Sequence, residues 1–188
     1  MALAHTIFST ELFESTYNTD LSSLANILLE NANQPGVAKS NVNGYQSPDN
    51  IHLNSYMNDV VNWIKKESLQ AFFAYGFHKE IVQIESCWYN INKGVSSYNN
   101  SHLHSGVLSG VFYVKAPEGS GHLTLYNNGL NQLWPGHTKS NLPNANNSSY
   151  VDIPPEEGKL YLWPSYLLHN VAPNTKDIER ISISFNLE

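Results

Sequence analysis

The chain has 188 residues, 41% of them hydrophobic and only 14% charged, which describes a folded globular protein and excludes a disordered one. Its length suits a single domain with a proper core. A formal net charge of −6, with Lys65-Lys66 as the one cationic cluster, argues against a nucleic-acid surface, because phosphate binding needs clustered cations.

The N-terminus Met1-Ala-Leu-Ala-His-Thr-Ile lacks the basic start and apolar run of a signal peptide. Leu21, Leu24, Ala25, Ile27 and Leu28 follow at helical spacing, with Asp20 placed as an N-cap, until Asn33-Gln-Pro-Gly36 breaks the pattern. A longer helix is predicted from about Asn54 to Ala74. It buries Met57, Val60, Val61, Ile64, Leu69 and Phe72, and Gly76 supplies its stop.

From about Ile81 the period becomes that of strands, predicted at Ile81–Ile91, Gly106–Val114, His122–Tyr126, Tyr150–Ile153, Lys159–Trp163 and Arg180–Leu187. Gly/Pro-rich turns such as Pro117-Glu-Gly-Ser-Gly121 separate them, which suggests a sandwich or barrel. The expected fold is therefore α+β and mainly β. A single domain spans 1–188, with a helical N-terminal part over about 1–78 and a β core over about 79–188. Cys87 is the only cysteine, so no intrachain disulfide forms and a reducing, cytoplasmic setting fits. No stretch approaches the ~20 apolar residues needed to cross a bilayer, so no membrane partner is expected.

The chemistry concentrates late in the chain. His102-Leu103-His104 places two imidazoles at i and i+2, on one face if the segment is a strand. They are a metal-binding pair, or one ligand with a neighbour that orients it, or two surface residues. His169 follows the apolar run Leu160-Tyr-Leu-Trp-Pro-Ser-Tyr-Leu-Leu and is either a core histidine or a third ligand. Arg180 opens an alternating strand in which Arg180, Ser182 and Ser184 face one way and Ile181, Ile183 and Phe185 the other. A cation on an inner face is costly unless paired. Its partner is an internal carboxylate or a carboxylate-bearing ligand, or else the side chain faces outward.

The set Ser40-Asn-Val-Asn-Gly44-Tyr45-Gln46-Ser47, Trp88-Tyr-Asn90, His102-Leu-His104, Ser109-Gly-Val-Phe-Tyr113, Trp163-Pro-Ser165…His169 and Arg180-Ile-Ser182-Ile-Ser184-Phe-Asn186 resembles a 2-oxoglutarate/Fe(II) oxygenase family found in marine bacteria and their phages. The likeness covers nearly the whole chain in order. It implies a double-stranded β-helix (a jelly roll, cupin-like) with N-terminal helices packed on it. It also implies Fe(II) as cofactor, 2-oxoglutarate as cosubstrate and molecular oxygen as partner, and a host-cytoplasm location if the chain is phage-encoded.

By position, His102 and His169 resemble the two histidines of the superfamily's HxD…H metal pattern. His104 stands where that pattern has a carboxylate, as a third ligand or beside a water. Arg180 and Ser182 resemble the Arg-x-Ser pair that takes the far carboxylate of 2-oxoglutarate. Tyr113 is a further candidate for cosubstrate contact or else a core residue; Asn90 reads better as core or strand edge.

Asp152 and Asp177 are the remaining sources of a missing carboxylate, ranked below His104. His5, His52, His78, His122 and His137 read as structural or exposed, and Cys87 as core rather than nucleophile. The activity implied is oxidation of a C–H bond in a small-molecule or peptide substrate. The rival readings are a cupin-like metalloenzyme that does not use 2-oxoglutarate, and a non-catalytic jelly-roll binding module. The Asn-rich run Asn127–Ser149, with Trp134 and His137, is expected to be a mobile cover over the metal mouth or a solvated excursion.

Overall fold

In a computed structural model, which describes residues 3, 5–6, 8–78, 80–127, 144 and 147–188, the period-2 stretches pair into two antiparallel sheets. The elements run β1 (Phe13–Thr16), α1 (Ser22–Asn31), β2 (Asn41–Val42), β3 (Tyr45–Gln46), α2 (Asn58–Ala74), β4 (Ile84–Lys93), β5 (Tyr98–His102), β6 (Leu108–Lys115), β7 (Leu123–Tyr126), β8 (Tyr150–Ile153), β9 (Lys159–Pro164), β10 (His169–Val171) and β11 (Glu179–Leu187). The larger sheet has the order β1-β9-β6-β11-β4-β3 and the smaller β2-β5-β10-β7-β8. This is the mainly β jelly roll, with helices laid on it, that the sequence implies.

Alternation along the central strands builds three layers. Phe112, Val114, Leu160, Leu162, Ile181, Ile183 and Phe185 turn to the helices, joining Leu28, Met57, Ile64 and Phe72 in the main core. Tyr17 and Trp63 close around Phe112, with ring centroids 5.8 and 5.5 Å away. Phe112, fully buried, contributes roughly 1.5–3 kcal/mol, and Tyr17 and Trp63 pack on it partly buried. Their neighbours Val111, Tyr113, Tyr161 and Trp163 face the other way, onto Leu123, Leu125 and Ile153 of the smaller sheet. The helices thus cover one face of the larger sheet, and its second face is free to build a site against the smaller one.

The helices begin and end for local reasons. Leu21 is the N-cap of α1, and Asp20, one residue earlier, accepts the Ser22 N–H at 3.0 Å. The stretch expected to start the second helix is instead a 3-10 turn, Ser55–Met57, preceded by another at Ile51–Leu53, so α2 begins at Asn58. At its end Gly76 takes φ 79°, and the Phe77 N–H returns to the Phe72 carbonyl at 2.9 Å, closing the helix as a glycine stop does.

The N-terminal third also supplies strands the periodicity did not predict. β1 pairs with β9, β2 with β5 and β3 with β4. Two- and four-residue strands are too short for a period to register, and they form because an existing edge offers unpaired backbone groups. β5 and β10 were likewise unpredicted as strands. β5 reads Tyr-Asn-Asn-Ser-His and β10 has only three residues, so neither shows an apolar alternation.

Candidate active site

His102 ends β5 and His169 begins β10, and the two residues are register partners across that ladder. Their ring centroids lie 4.3 Å apart. Strand alternation does not place His104, because β5 stops at His102. The chain instead continues as irregular backbone, held by the His104 N–H donating to the Ser165 carbonyl at 3.1 Å, and brings the ring to 4.8 Å from His102 and 5.1 Å from His169. One ligand nitrogen from each of His102, His104 and His169 falls within 4.8 Å of the others, and no Asp, Glu or Cys joins this group among the described residues.

The ring nitrogens are set up for a cation. His102 Nδ1 lies 2.6 Å from the Asn100 carbonyl oxygen, and His169 Nδ1 lies 2.9 Å from that of Leu167. A carbonyl only accepts, so each Nδ1 carries the proton and each Nε2 keeps its lone pair. Burial, then the neighbouring His102, pulls His169 down to about 3; burial, then His102 and Lys39, pulls His104 down to about 4. Burial also lowers His102. All three imidazoles are therefore neutral near pH 7, the state in which histidine ligates metal. Trp88 packs on His104 and Trp163 on His169, at 5.4 and 5.1 Å between centroids, fixing the rings.

Neither reserve carboxylate reaches the cluster. Asp152 sits on β8 and accepts a 2.6 Å hydrogen bond from Thr124 Oγ1, while Asp177 lies against Gly94 in the turn before β11.

Arg180, Ser182 and Ser184 line the same cavity as the histidines, as the alternation of β11 requires. Arg180 is 1% exposed and makes no ion pair among the described residues. Its guanidinium donates from Nη1 to the Gly121 carbonyl at 2.8 Å and from Nη2 to Asn92 Oδ1 at 2.6 Å, and Nε has no partner. Among the described residues no internal carboxylate pairs with Arg180 to make it purely structural, and the side chain does not face outward. A buried cation with an unspent donor is costly in isolation and fits an anionic ligand. Ser182 is flanked in register by Asn90 on β4 and Tyr113 on β6. Burial pushes the Tyr113 phenol up to about 12, against the opposing pull of the Arg180 charge, so the hydroxyl stays protonated.

The cavity holding these groups is narrow, about 30 Å³, and a wider cleft of about 420 Å³ opens beside His102, His104 and Trp88. Asn90, expected to be core, is 3% exposed and does line the cavity, but its Oδ1 is taken by Asn41 and Asn99. Cys87 is fully buried with its thiol pushed up by burial, as a core residue. Trp134, His137 and most of the run expected to cover the metal mouth lie outside the described residues. Sequence reasoning passed over Asn92, which shares its face of β4 with Trp88 and Asn90; that period of two was the available signal.

Residues 86–186 match the family model described as "Putative 2OG-Fe(II) oxygenase". The chain belongs to this family. It is an enzyme of the 2-oxoglutarate-dependent, Fe(II)-dependent kind, with Fe(II) as cofactor and 2-oxoglutarate as cosubstrate. A non-catalytic binding module is thereby set aside. Among curated proteins none matches the chain.

The fold is shared with solved enzymes of low sequence identity. A Pseudomonas putida prolyl-4-hydroxylase is 13% identical with a TM-score of 0.66, over 95% of this chain and 93% of that one. The viral collagen prolyl hydroxylase of Paramecium bursaria Chlorella virus-1, solved as a 2OG complex, is 16% identical with a TM-score of 0.60, over 94% of each chain. The epimerase SnoN from nogalamycin biosynthesis, in complex with Fe3+ and alpha ketoglutarate, is 12% identical with a TM-score of 0.68, over 93% of this chain and 77% of that one. No helix among the described residues is long and apolar enough to cross a membrane.

Proposed function

We propose that the enzyme oxidises a C–H bond of a small-molecule or peptide substrate, with the whole chain acting as one catalytic unit in the cytoplasm. His102, His104 and His169 hold Fe(II) in this reading, and Arg180, Ser182 and Tyr113 hold 2-oxoglutarate. The observation that carries it is a cluster of three neutral imidazoles in one cavity with a buried arginine that has no anion of its own.

The chemistry supplied by Fe(II) and 2-oxoglutarate, when bound, is dioxygen activation with release of succinate and carbon dioxide. The chain's own residues orient and exclude. The Asn100 and Leu167 carbonyls keep the His102 and His169 protons on Nδ1, so both rings present Nε2 inward. Arg180 offers its charge and its free Nε to the far carboxylate, and the Ser182 hydroxyl adds a donor. Tyr113, protonated at pH 7, donates rather than competes as an anion. Trp88 and Trp163 keep water from the imidazoles on two sides. The substrate enters from the wider cleft beside His104, and because the inner cavity is narrow, side chains around it shift when the cosubstrate enters.

Anaerobic titration with Fe(II) and then 2-oxoglutarate tests the assignment, followed by oxygen-dependent succinate formation. Saturable binding of both, lost in His169→Ala and in Arg180→Ala respectively, is the expected result. Unchanged binding of either ligand in its variant overturns that half of the assignment.

A further inference from the structure

The acceptors that hold Arg180 are neutral and form a closed ring of hydrogen bonds. Arg180 donates to the Gly121 carbonyl and to Asn92 Oδ1. Asn174 joins those two acceptors: the Gly121 N–H donates to its Oδ1 at 3.1 Å, and its Nδ2 donates to the Asn92 carbonyl at 2.9 Å. Asn92 is anchored further by its Nδ2, which donates to Ser97 Oγ at 3.1 Å and to Asn99 Oδ1 at 3.2 Å. A guanidinium only donates, so contact with Arg180 dictates which end of the Asn92 amide faces it. Asn92 and Asn174 are 0% and 2% exposed.

This ring does half of what a buried cation needs. It satisfies hydrogen-bonding geometry at two nitrogens but supplies no negative charge. An aspartate has nearly the size of asparagine, so a carboxylate at position 92 could keep the Oδ1 contact and neutralise Arg180, while losing the two hydrogen bonds that Asn92 Nδ2 donates. With an amide there instead, the guanidinium is fixed in direction and left with its charge available.

We propose that Asn92 and Asn174 are positioning residues that orient Arg180 on uncharged acceptors and thereby make the site selective for a dicarboxylate over a monocarboxylate 2-oxoacid. The inference rests on the reading that Arg180 takes the far carboxylate of 2-oxoglutarate. Asn92 acts on the guanidinium directly. Asn174 acts through Gly121 and the Asn92 backbone, and ties the segment after β10 to the segment before β7.

The test compares two acids on the Mn(II)-loaded protein by calorimetry: 2-oxoglutarate, and 2-oxobutyrate, which has the same 2-oxoacid head and no far carboxylate. Asn92→Asp is expected to weaken 2-oxoglutarate roughly tenfold or more while leaving 2-oxobutyrate unchanged, so that the ratio of affinities falls. Asn174→Ala should lower the ratio in the same direction by a smaller factor. A purely structural role would weaken both acids alike and leave the ratio of the parent protein. A parental ratio in folded Asn92→Asp overturns the inference. If Asn92→Asp does not fold, a parental ratio in Asn174→Ala overturns it. A parent protein that binds the two acids equally would show instead that Arg180 does not read the far carboxylate, and the cosubstrate assignment would fall first.

Discussion

His102 and His169 stand opposite each other across the β5–β10 ladder, each with Nδ1 turned back to a carbonyl two residues earlier in its own chain segment. The pairing makes their separation a property of the sheet rather than of a loop, so each histidine is preset by backbone hydrogen bonds. Replacing either by alanine is expected to weaken Mn(II) or Co(II) binding by more than about 100-fold, beyond the effect of losing a supporting residue. Quenching of the Trp88 and Trp163 fluorescence reports the binding, because both indoles pack on the histidine cluster. Retained affinity in His169→Ala would remove it from the ligand set.

His104 is held by one backbone hydrogen bond to Ser165 and by Trp88, outside any strand. It is therefore the position most tolerant of another ligand. His104→Asp is expected to keep metal binding, and His104→Ala to lose more than His104→Asp does. Equal affinities for parent and His104→Ala, measured by the same quenching, would place His104 off the metal.

Removing the Arg180 charge should act on the cosubstrate alone. Arg180→Ala is expected to weaken 2-oxoglutarate by about 2–5 kcal/mol, the scale for truncating one partner of a buried charge pair, with metal affinity unchanged. Calorimetry on the Mn(II) form decides it.

Gly121 gives an independent route to the same clamp. A Cβ there would penetrate the Ala172 carbonyl, so Gly121→Ala must move the backbone whose carbonyl holds Arg180 Nη1. Weaker 2-oxoglutarate binding with intact metal binding is the expected outcome, and no change in either would mean that the Gly121 contact does not orient the guanidinium.

Part of this candidate site is legible in the amino-acid sequence. Arg180, Ser182 and Ser184 share a face because a strand alternates, and that face does line the cavity. Apart from the family resemblance, His169 is only a histidine after an apolar run; its place opposite His102 depends on a three-residue strand with no pattern of its own. The same limit hid β1, β2 and β3, whose pairing is decided by the edges they meet. For His104 the inward direction was foreseen on the wrong ground, since irregular backbone and not alternation turns it. Asn174 was out of reach, because a lone asparagine in a turn carries no sign that it bridges two distant segments.

Acid should destabilise the metal-free protein through these same histidines. Their folded-state pKa values lie below the ordinary 6.5, about 4 for His104 and about 3 for His169, so the unfolded chain binds more protons throughout that interval. Stability contributed by the neutral rings is whole above 6.5 and declines as pH falls toward 3. Melting temperatures of the metal-free protein should fall between pH 7 and pH 5, within about that window, and less steeply in His169→Ala. A flat profile would contradict the burial of neutral imidazoles.

β11, the last strand in chain order, lies between β6 and β4 in the larger sheet, and those two strands are joined only through it. Neither half of that sheet can complete its ladder until β11 inserts, which makes folding depend on non-local pairing of the slow kind. The inserting strand is also the one that carries Arg180 and Ser182. Without β11 the helix-covered core lacks Ile181, Ile183 and Phe185, and the cavity lacks the arginine proposed to hold a dicarboxylate. Completion of the sheet and, on the proposed assignment, competence to bind the cosubstrate therefore come together, when β11 inserts between β6 and β4.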